Sequence, residues 1–508
     1  MTVDRAEGLH AAMDDVSRKM ARGAAWMMAV RLADRGLGLV STMILARLLV
    51  PQDFGLIAMA TALLGMIEIM SAFSFDLALI QNQNAERRHY DTAWTFNVLF
   101  GAFTGVVLAV LAIPAAHFFE DARVEPIVYC LAAAAFAQSF QNIGIVAFRK
   151  ELDFRKEFML LALQKLIAVA VTLILAYILR NYWALVIGML TSRLASVLVS
   201  YWIHPYRARF SLAGSRELMR FSSWMLLNNI AVFAAVKGYD FIVGRLAGAH
   251  GLGLYSVAYE ISNLPTTELV FPISRAIFPG FSKLARDPQR LRTAFLRVAA
   301  LTALITFPAG AGIAALAEPL VRLLLGAQWL EAAPLIQVLA IYGVSRTLHA
   351  GTGDVYLALG VHRVIALINL PHVLVGWPMM VYLYARYGIE GAAWSVLYAS
   401  AVGVVLNVAI ILRVLELRWS ELAGCYWRPL AAVAVMLLVV SGLMRLWPPA
   451  AGTGMLALQV SAYALAGAGT FGGALLLLWI ASRRPDGAER VLLDRFAPGK
   501  LVSFAGNG

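Results

Sequence analysis

The sequence predicts an all-α membrane protein of about fourteen transmembrane helices. These are expected to form two six-helix lobes related by a pseudo-twofold axis along the membrane normal, with two further helices at the C-terminal end. Three observations carry this reading. Of 508 residues, 61% are hydrophobic and only 14% charged, too few charges to cover a water-soluble protein of this size. Lys and Arg cluster in alternate short loops, the pattern of membrane topology. A segment near the start of the chain also recurs 198 residues later.

A spanning helix needs about 20 mostly apolar residues. Read with that length, the expected spans are 24–46, 55–80, 92–117, 126–147, 159–179, 182–203, 221–244, 252–277, 294–317, 333–359, 364–385, 389–412, 428–446 and 455–481. Only Arg180 and Asn181 separate the fifth from the sixth. The first 22 residues mix Asp4, Glu7, Asp14 and Asp15 with Arg18, Lys19 and Arg22 and hold no apolar h-region. No cleavable signal peptide is therefore expected, and the first span itself must direct insertion.

With the N-terminus placed in the cytoplasm, the inward tails and loops hold 28 Lys and Arg against seven outside, namely Arg47, Arg123, Arg180, Arg245, Arg322, Arg386 and Arg445. That bias puts both termini inside and requires an even number of spans. The expected organisation is a cytoplasmic tail (1–23), an N-lobe (24–203), a cytoplasmic connector (204–220), a C-lobe (221–412), two further helices (413–481) and a second cytoplasmic tail (482–508).

The repeat pairs Ala46–Thr61, ARLLVPQDFGLIAMAT, with Gly244–Tyr259, GRLAGAHGLGLYSVAY, without gaps. Arg47 meets Arg245, Leu48 meets Leu246, Gly55 meets Gly253, Leu56 meets Leu254 and Ala60 meets Ala258. Both copies fall at the short outer turn after helices 1 and 7. An even number of spans separates them, so they share one orientation and the repeat is parallel.

Charges inside a span cost about 2.5–3.5 kcal/mol each at the centre and so mark interiors or watery cavities. Helix 1 carries Arg31, Asp34 and Arg35 on one face. Asp34 is expected to pair with one of the two arginines, leaving the other for a solvated cavity. Helix 7 carries Lys237 and Asp240. Helix 8 carries Glu260 and Glu268 on one face with Pro265 between them, a residue that removes a helix hydrogen bond. A buried bridge from Lys237 to Asp240 or Glu260 is the structural alternative to a functional role. Helix 10 holds Arg346, His349 and Asp354 around a Gly351-Thr352-Gly353 break. A histidine can shuttle a proton near neutral pH, though an intramembrane histidine often serves packing alone. Glu68 and Asp76 in helix 2, Lys165 in helix 5, Arg193 in helix 6 and Arg275 in helix 8 complete the set. Lys165 and Arg193 are read as snorkelling to an interface.

Other chemistry is excluded by what the sequence lacks. Two cysteines, Cys130 and Cys425, build neither a disulfide framework nor a metal site. No GxxxxGK[ST], HExxH or CxxC motif occurs, so no ATP-hydrolysing site, metal centre or cofactor is expected. The net charge of +12 lies in loops between apolar stretches and not along a groove, which argues against nucleic acid. The longest loops run to about 17 residues, too short for a catalytic domain. The outer one near 318–332 has only Glu318 and Glu331 as acids. A transporter is expected, not an enzyme.

Four stretches carry a family resemblance: ARLLVPQDFGL from Ala46, FRKELDFRKEF (Phe148–Phe158), YSVAYEISNLPTTELVFPISRAIFPGFSKLARD (Tyr255–Asp287) and LAEPLVRLLLGAQWLEAAPLI (Leu316–Ile336). Over roughly residues 20–415 the chain resembles bacterial polysaccharide exporters of the Wzx flippase type, in the multidrug/oligosaccharidyl-lipid/polysaccharide exporter superfamily. The resemblance implies a two-lobed bundle around a central cavity in the bacterial cytoplasmic membrane. It implies translocation of undecaprenyl-pyrophosphate-linked oligosaccharide units for lipopolysaccharide, capsule or exopolysaccharide synthesis. A polysaccharide polymerase and chain-length machinery are then candidate partners. The matching segments are structural signatures, so no substrate contact carries over. From charge alone, Arg31, Arg35, Lys237, Arg275 and Arg346 are candidates for a pyrophosphate, which arginine binds bidentately. Asp34, Asp240, Glu260, Glu268 and His349 are candidates for ion coupling. Three alternatives stay open: a cation-coupled multidrug exporter, a peptidoglycan-precursor flippase and a membrane glycan ligase. The net basic helix 1 speaks against the first and the short outer loops against the last.

Overall fold

The computed structural model describes residues 34–70, 79–80, 85–151, 153–213, 223–265, 277, 280–361, 363–483 and 489–490. Every regular element among them is helical. The main helices are α1 (34–48), α2 (Pro51–Met70), α3 (Arg87–Phe119), α4 (Val124–Gln138), α5 (Val146–Lys150), α6 (Phe154–Leu179), α7 (Trp183–Ile203), α8 (Ser223–Pro265), α9 (Pro288–Ala315), α10 (Ala317–Leu324), α11 (Ala332–Thr347), α12 (Thr352–Ala358), α13 (Arg363–Pro371), α14 (Trp377–Val414), α15 (Trp419–Leu446) and α16 (Thr453–Ala481). Eight helices among the described residues are long and apolar enough to cross a membrane, and a bent pair brings this to nine. One of them, Leu367–Val414, runs for 48 residues, about twice what a bilayer requires. It breaks at Gly388, which has φ 59°, between the expected spans 364–385 and 389–412. Likewise α8 covers the span 221–244 and part of 252–277, with a break at Gly248 (φ 65°).

The chain divides into two compact units: Met1–Phe233 with Gly248–Gly253, and Ala234–Ala247 with Leu254–Gly508. The division passes through α8 and not through the expected connector at 204–220. In the first unit α3 packs on α4, α6 on α7, and α4 on both α2 and α7. Arg180, with φ 49°, caps the end of α6 before α7 returns. Leu79, Trp94, Val98, Ile143 and Val146 form one core, and Leu45, Leu49, Ala176 and Ala184 another. In the second unit α15 and α16 pack on each other and on α9 through Phe307, Ala432, Met436, Tyr463 and Phe471. The buried pair Arg428–Glu489, at 2.7 Å, ties the described part of the C-terminal tail to α15.

Large apolar side chains such as Val106, Val110, Ile174, Leu198, Leu438 and Leu477 are exposed on these helices. Such a surface suits lipid.

Two expectations are corrected. The span 126–147 is not one straight helix, because α4 ends at Gln138 and a 3-10 turn, Ile143–Ile145, leads into α5 at 66°. Asn142 holds the corner: its side chain accepts from Gly144 N–H and donates to the carbonyls of His204 and Tyr206, while its own N–H donates to Ser200 Oγ. A Cβ at Gly144 would collide with the His204 ring. The outer loop near 318–332 is largely helical, with α10 carrying an Arg322–Glu318 pair at 2.6 Å. Its apolar face, Ala317, Pro319 and Val321, is buried.

The repeat leaves a geometric trace inside the first unit. A Cβ built on Gly55 falls into the carbonyl oxygen of Ala249, and one built on Gly253 falls into that of Pro51. Residues 51 and 55 become 249 and 253 at the offset of 198, so each contact maps onto the other. Only residues without a side chain permit backbones to approach this closely.

Candidate functional site

In the first unit, charges within the spans are paired between helices. Lys165 of α6 meets Asp34 of α1 at 3.0 Å. Arg193 of α7 meets Glu68 of α2 at 2.8 Å and donates to Gln138 Oε1 at 2.5 Å. Lys165 and Arg193, read as snorkelling residues, each pair with a carboxylate on another helix. The carboxylate of Asp34 takes a partner from α6, one that the i, i+3, i+4 spacing within helix 1 did not suggest. Arg35 is an engaged residue as well. Arg31 lies outside the described residues, as do Asp76, Glu268 and Arg275.

The second unit gathers a denser polar group where three helices depart from regular geometry. Expected span 333–359 is two helices: α11 stops at Thr347, Gly351 turns with φ 77°, and α12 begins at Thr352. Residues His372–Gly376 form a π-helical turn between α13 and α14, a feature often found at functional sites. Tyr239 of α8 donates to the His372 carbonyl at 2.8 Å. A Cβ on Gly376 would strike the Tyr239 hydroxyl, so that glycine makes the contact possible. The rings of Tyr239 and Tyr342 stand edge-on to His372 at 6.4 and 6.3 Å.

Arg346 lies one helical turn beyond Tyr342, about 21 Å along α11 from its first residue. Its guanidinium lies 6.0 Å from the Tyr342 ring centroid and donates to Asn263 Oδ1 at 3.2 Å. Arg346 is exposed, and no carboxylate among the described residues lies within ion-pair distance. His349 sits after α11, in the broken stretch and close to Gly403. Two ring nitrogens in this group, His372 Nδ1 and Trp377 Nε1, are buried without a hydrogen-bond partner.

Lys237 and Asp240 pair at 2.9 Å, one turn apart on α8. The expected bridge between neighbouring helices is thus a bridge within one helix, and Glu260 takes no part in it and is exposed. Of the ten candidate residues, Lys237, Asp240, Glu260, Arg346 and His349 all lie in the second unit. Asn263, Tyr342, His372 and the π turn escaped the sequence reading because they are uncharged and the search weighed charges. The signal on hand was the apolar run around Pro371 interrupted by a histidine. No group of three or more His, Cys, Asp or Glu able to hold a metal occurs among the described residues.

Comparison with known proteins places this arrangement. The chain is 24% identical to the lipopolysaccharide biosynthesis protein WzxC of Escherichia coli over 81% of its length and 85% of the relative's. It is 25% identical to the teichuronic acid biosynthesis protein TuaB of Bacillus subtilis over 74% of its length and 78% of the relative's. Among solved structures, the lipid II flippase MurJ in an inward closed conformation matches with a TM-score of 0.70 at 12% identity. That match covers 90% of this chain and 99% of the other, and shows a shared fold. The family of polysaccharide biosynthesis proteins matches residues 44–334, more than half of the 508, and the chain belongs to that family.

Proposed function

We infer that this chain is a flippase for lipid-linked oligosaccharides. It moves undecaprenyl-pyrophosphate-linked units across the bacterial cytoplasmic membrane by alternating access and delivers them to surface polysaccharide synthesis. The family match across residues 44–334 carries the reading. Relatives named for lipopolysaccharide and teichuronic acid biosynthesis support it. Arg346 adds a physical reason. A guanidinium in an apolar stretch, exposed and with no carboxylate at ion-pair distance among the described residues, is costly in lipid and suits an anion that passes through water.

In this reading Arg346, with Arg31, Arg35, Lys237 and Arg275, serves the pyrophosphate, and both termini are cytoplasmic. The sequence offers no ATP site, so energy comes from an ion gradient, the membrane potential or consumption of the product. Asp240, Glu260, Glu268, Asp34 and His349 are the coupling candidates, because carboxylates and imidazole bind and release cations. A surface polysaccharide polymerase with its chain-length machinery would take the product.

The test is replacement of Arg346 in a strain lacking its own copy. Arg346→Ala should cut surface polysaccharide at least tenfold with the membrane level of the protein unchanged. Arg346→Lys should recover little, since an ammonium is a point charge and not a bidentate fork. Normal polysaccharide in Arg346→Ala removes that residue from the mechanism. Full polysaccharide in the deletion strain itself defeats the flippase reading. In proteoliposomes, flipping that persists after ion gradients and potential are both collapsed excludes coupling.

A further inference from the structure

The first unit contains a polar cavity of about 250 Å³ where α4, α5, α6 and α7 meet. Its walls include Gln138, Gln141, Arg149, Glu157, Gln164 and Ser196. It lies beside the bend that follows α4, and Ile145, Val146, Phe148, Leu160 and Leu161 complete its walls. An apolar span has no packing reason to place three amides around one space, and polar atoms buried without partners cost free energy.

What these groups leave unspent identifies the ligand. Glu157 is 5% exposed. Its Oε1 accepts from Arg149 Nε at 2.6 Å, whereas its Oε2 is buried with no hydrogen-bond partner among the described residues. Gln141 donates to Ser196 Oγ at 2.6 Å and Gln164 to Ser192 Oγ at 3.4 Å. Their amide oxygens have no partner among the described residues. Gln138 accepts a hydrogen bond from Arg193 through its oxygen, and its amide NH₂ has no partner among the described residues. The cavity therefore presents three acceptors, and each of its three amide NH₂ groups keeps an N–H to donate. The cation among its walls, Arg149, is ion-paired with Glu157 through Nε. A phosphate would bring oxygen lone pairs against the carboxylate and two amide oxygens. A hydroxylated ring brings donors to all three, and each of its oxygens also accepts. The volume lies just below the range of drug-sized sites, which suits a single ring and not a polyprenyl chain.

We propose that this cavity is a docking site for one sugar ring of the glycan headgroup, with Glu157 Oε2 and the amides of Gln138, Gln141 and Gln164 binding its hydroxyls. The proposal rests on the flippase reading for the identity of the glycan, but it is tested by binding alone. α5 and the start of α6, beside the cavity, lie next to the basic segment Arg149–Lys156. The charge bias assigns that segment to the cytoplasmic side, where a headgroup awaiting transport resides.

The intact protein, purified in a polyoxyethylene detergent free of sugar, is exposed to glucose, galactose and N-acetylglucosamine, each at tens of millimolar. Saturation transfer from protein to sugar protons is then recorded by NMR. Wild-type protein should saturate at least one of the three. Glu157→Gln should weaken that signal at least threefold, and Gln141→Leu combined with Gln164→Leu should abolish it. Both pocket variants are accepted only with wild-type gel-filtration profile and melting temperature, and Gln164→Leu alone stands in if the double variant fails. A wild-type protein that saturates no sugar, or a pocket variant that saturates as well as wild type, overturns the proposal. Loss of the flippase reading is seen separately, as full surface polysaccharide in the deletion strain.

Discussion

Arg193 shows how one side chain organises a membrane interior. It lies in an apolar span, is mostly covered, and binds both Glu68 and Gln138, which reside on two other helices. Removing a cation from such a pair leaves an acid in a medium that solvates it poorly. Arg193→Ala is expected to destabilise the fold by about 1–3 kcal/mol, because Glu68 keeps partial access to its surroundings. The measured result should be a several-fold drop in membrane protein level and a lower melting temperature. The exchanged pair, Glu68→Arg with Arg193→Glu, should recover most of the loss. If Arg193→Ala melts like wild type, the pair contributes nothing to stability and the arginine is held for another purpose.

The corner between α4 and α5 shows what an element needs beyond apolar residues. Asn142 satisfies the backbone of the bend, and the segment after α7 closes over it through His204 and Tyr206. His204 Nδ1 accepts the Tyr206 N–H at 3.1 Å, which requires the neutral ring. Burial holds the imidazole pKa below its usual 6.5. A histidine with a depressed folded pKa binds its proton more weakly folded than unfolded. Its contribution is therefore complete above pH 6.5 and declines as the pH falls through that value toward the folded pKa. Hydrogen exchange of residues 204–213, corrected for intrinsic rates, should show weaker protection at pH 5 than at pH 7.5. His204→Gln should flatten the difference. Equal protection at the two pH values in the wild type would mean that the ring does not hold this corner.

At the scale of the molecule, exposed apolar side chains cover the helices of both units, and each unit keeps its own polar interior. Insertion then depends on which loops stay inside, which Lys and Arg decide. Reporter fusions after Ala122 and Ala327 should register the outer side, and those after Ser215 and Asp287 the cytoplasmic side. An active cytoplasmic reporter at Ala327 would reverse the direction of the loop that holds α10 and break the even helix count. Transport itself needs two states, and the glycines at 55 and 253 are where backbone meets backbone without intervening side chains.

The sequence by itself determined the class of the molecule, because hydropathy and charge are properties of composition and spacing. Twenty apolar residues demand a helix in lipid wherever they occur, and the breaks at Arg180 and Gly351 were legible as interruptions of such runs. The family was legible too, since its segments read directly along the chain. Candidate residues were legible only as costly charges: Arg346 and His349 stood out, while Gln138, Gln141 and Gln164, which cost far less in a span, did not. Tertiary structure decided the partners. Asp34 meets Lys165 across 131 residues, because a helix surface offers its charges to whatever packs beside it. It also decided that Glu157 keeps an oxygen without a partner beside three amides. Spacing along one helix cannot reveal a cavity formed where four helices fail to meet.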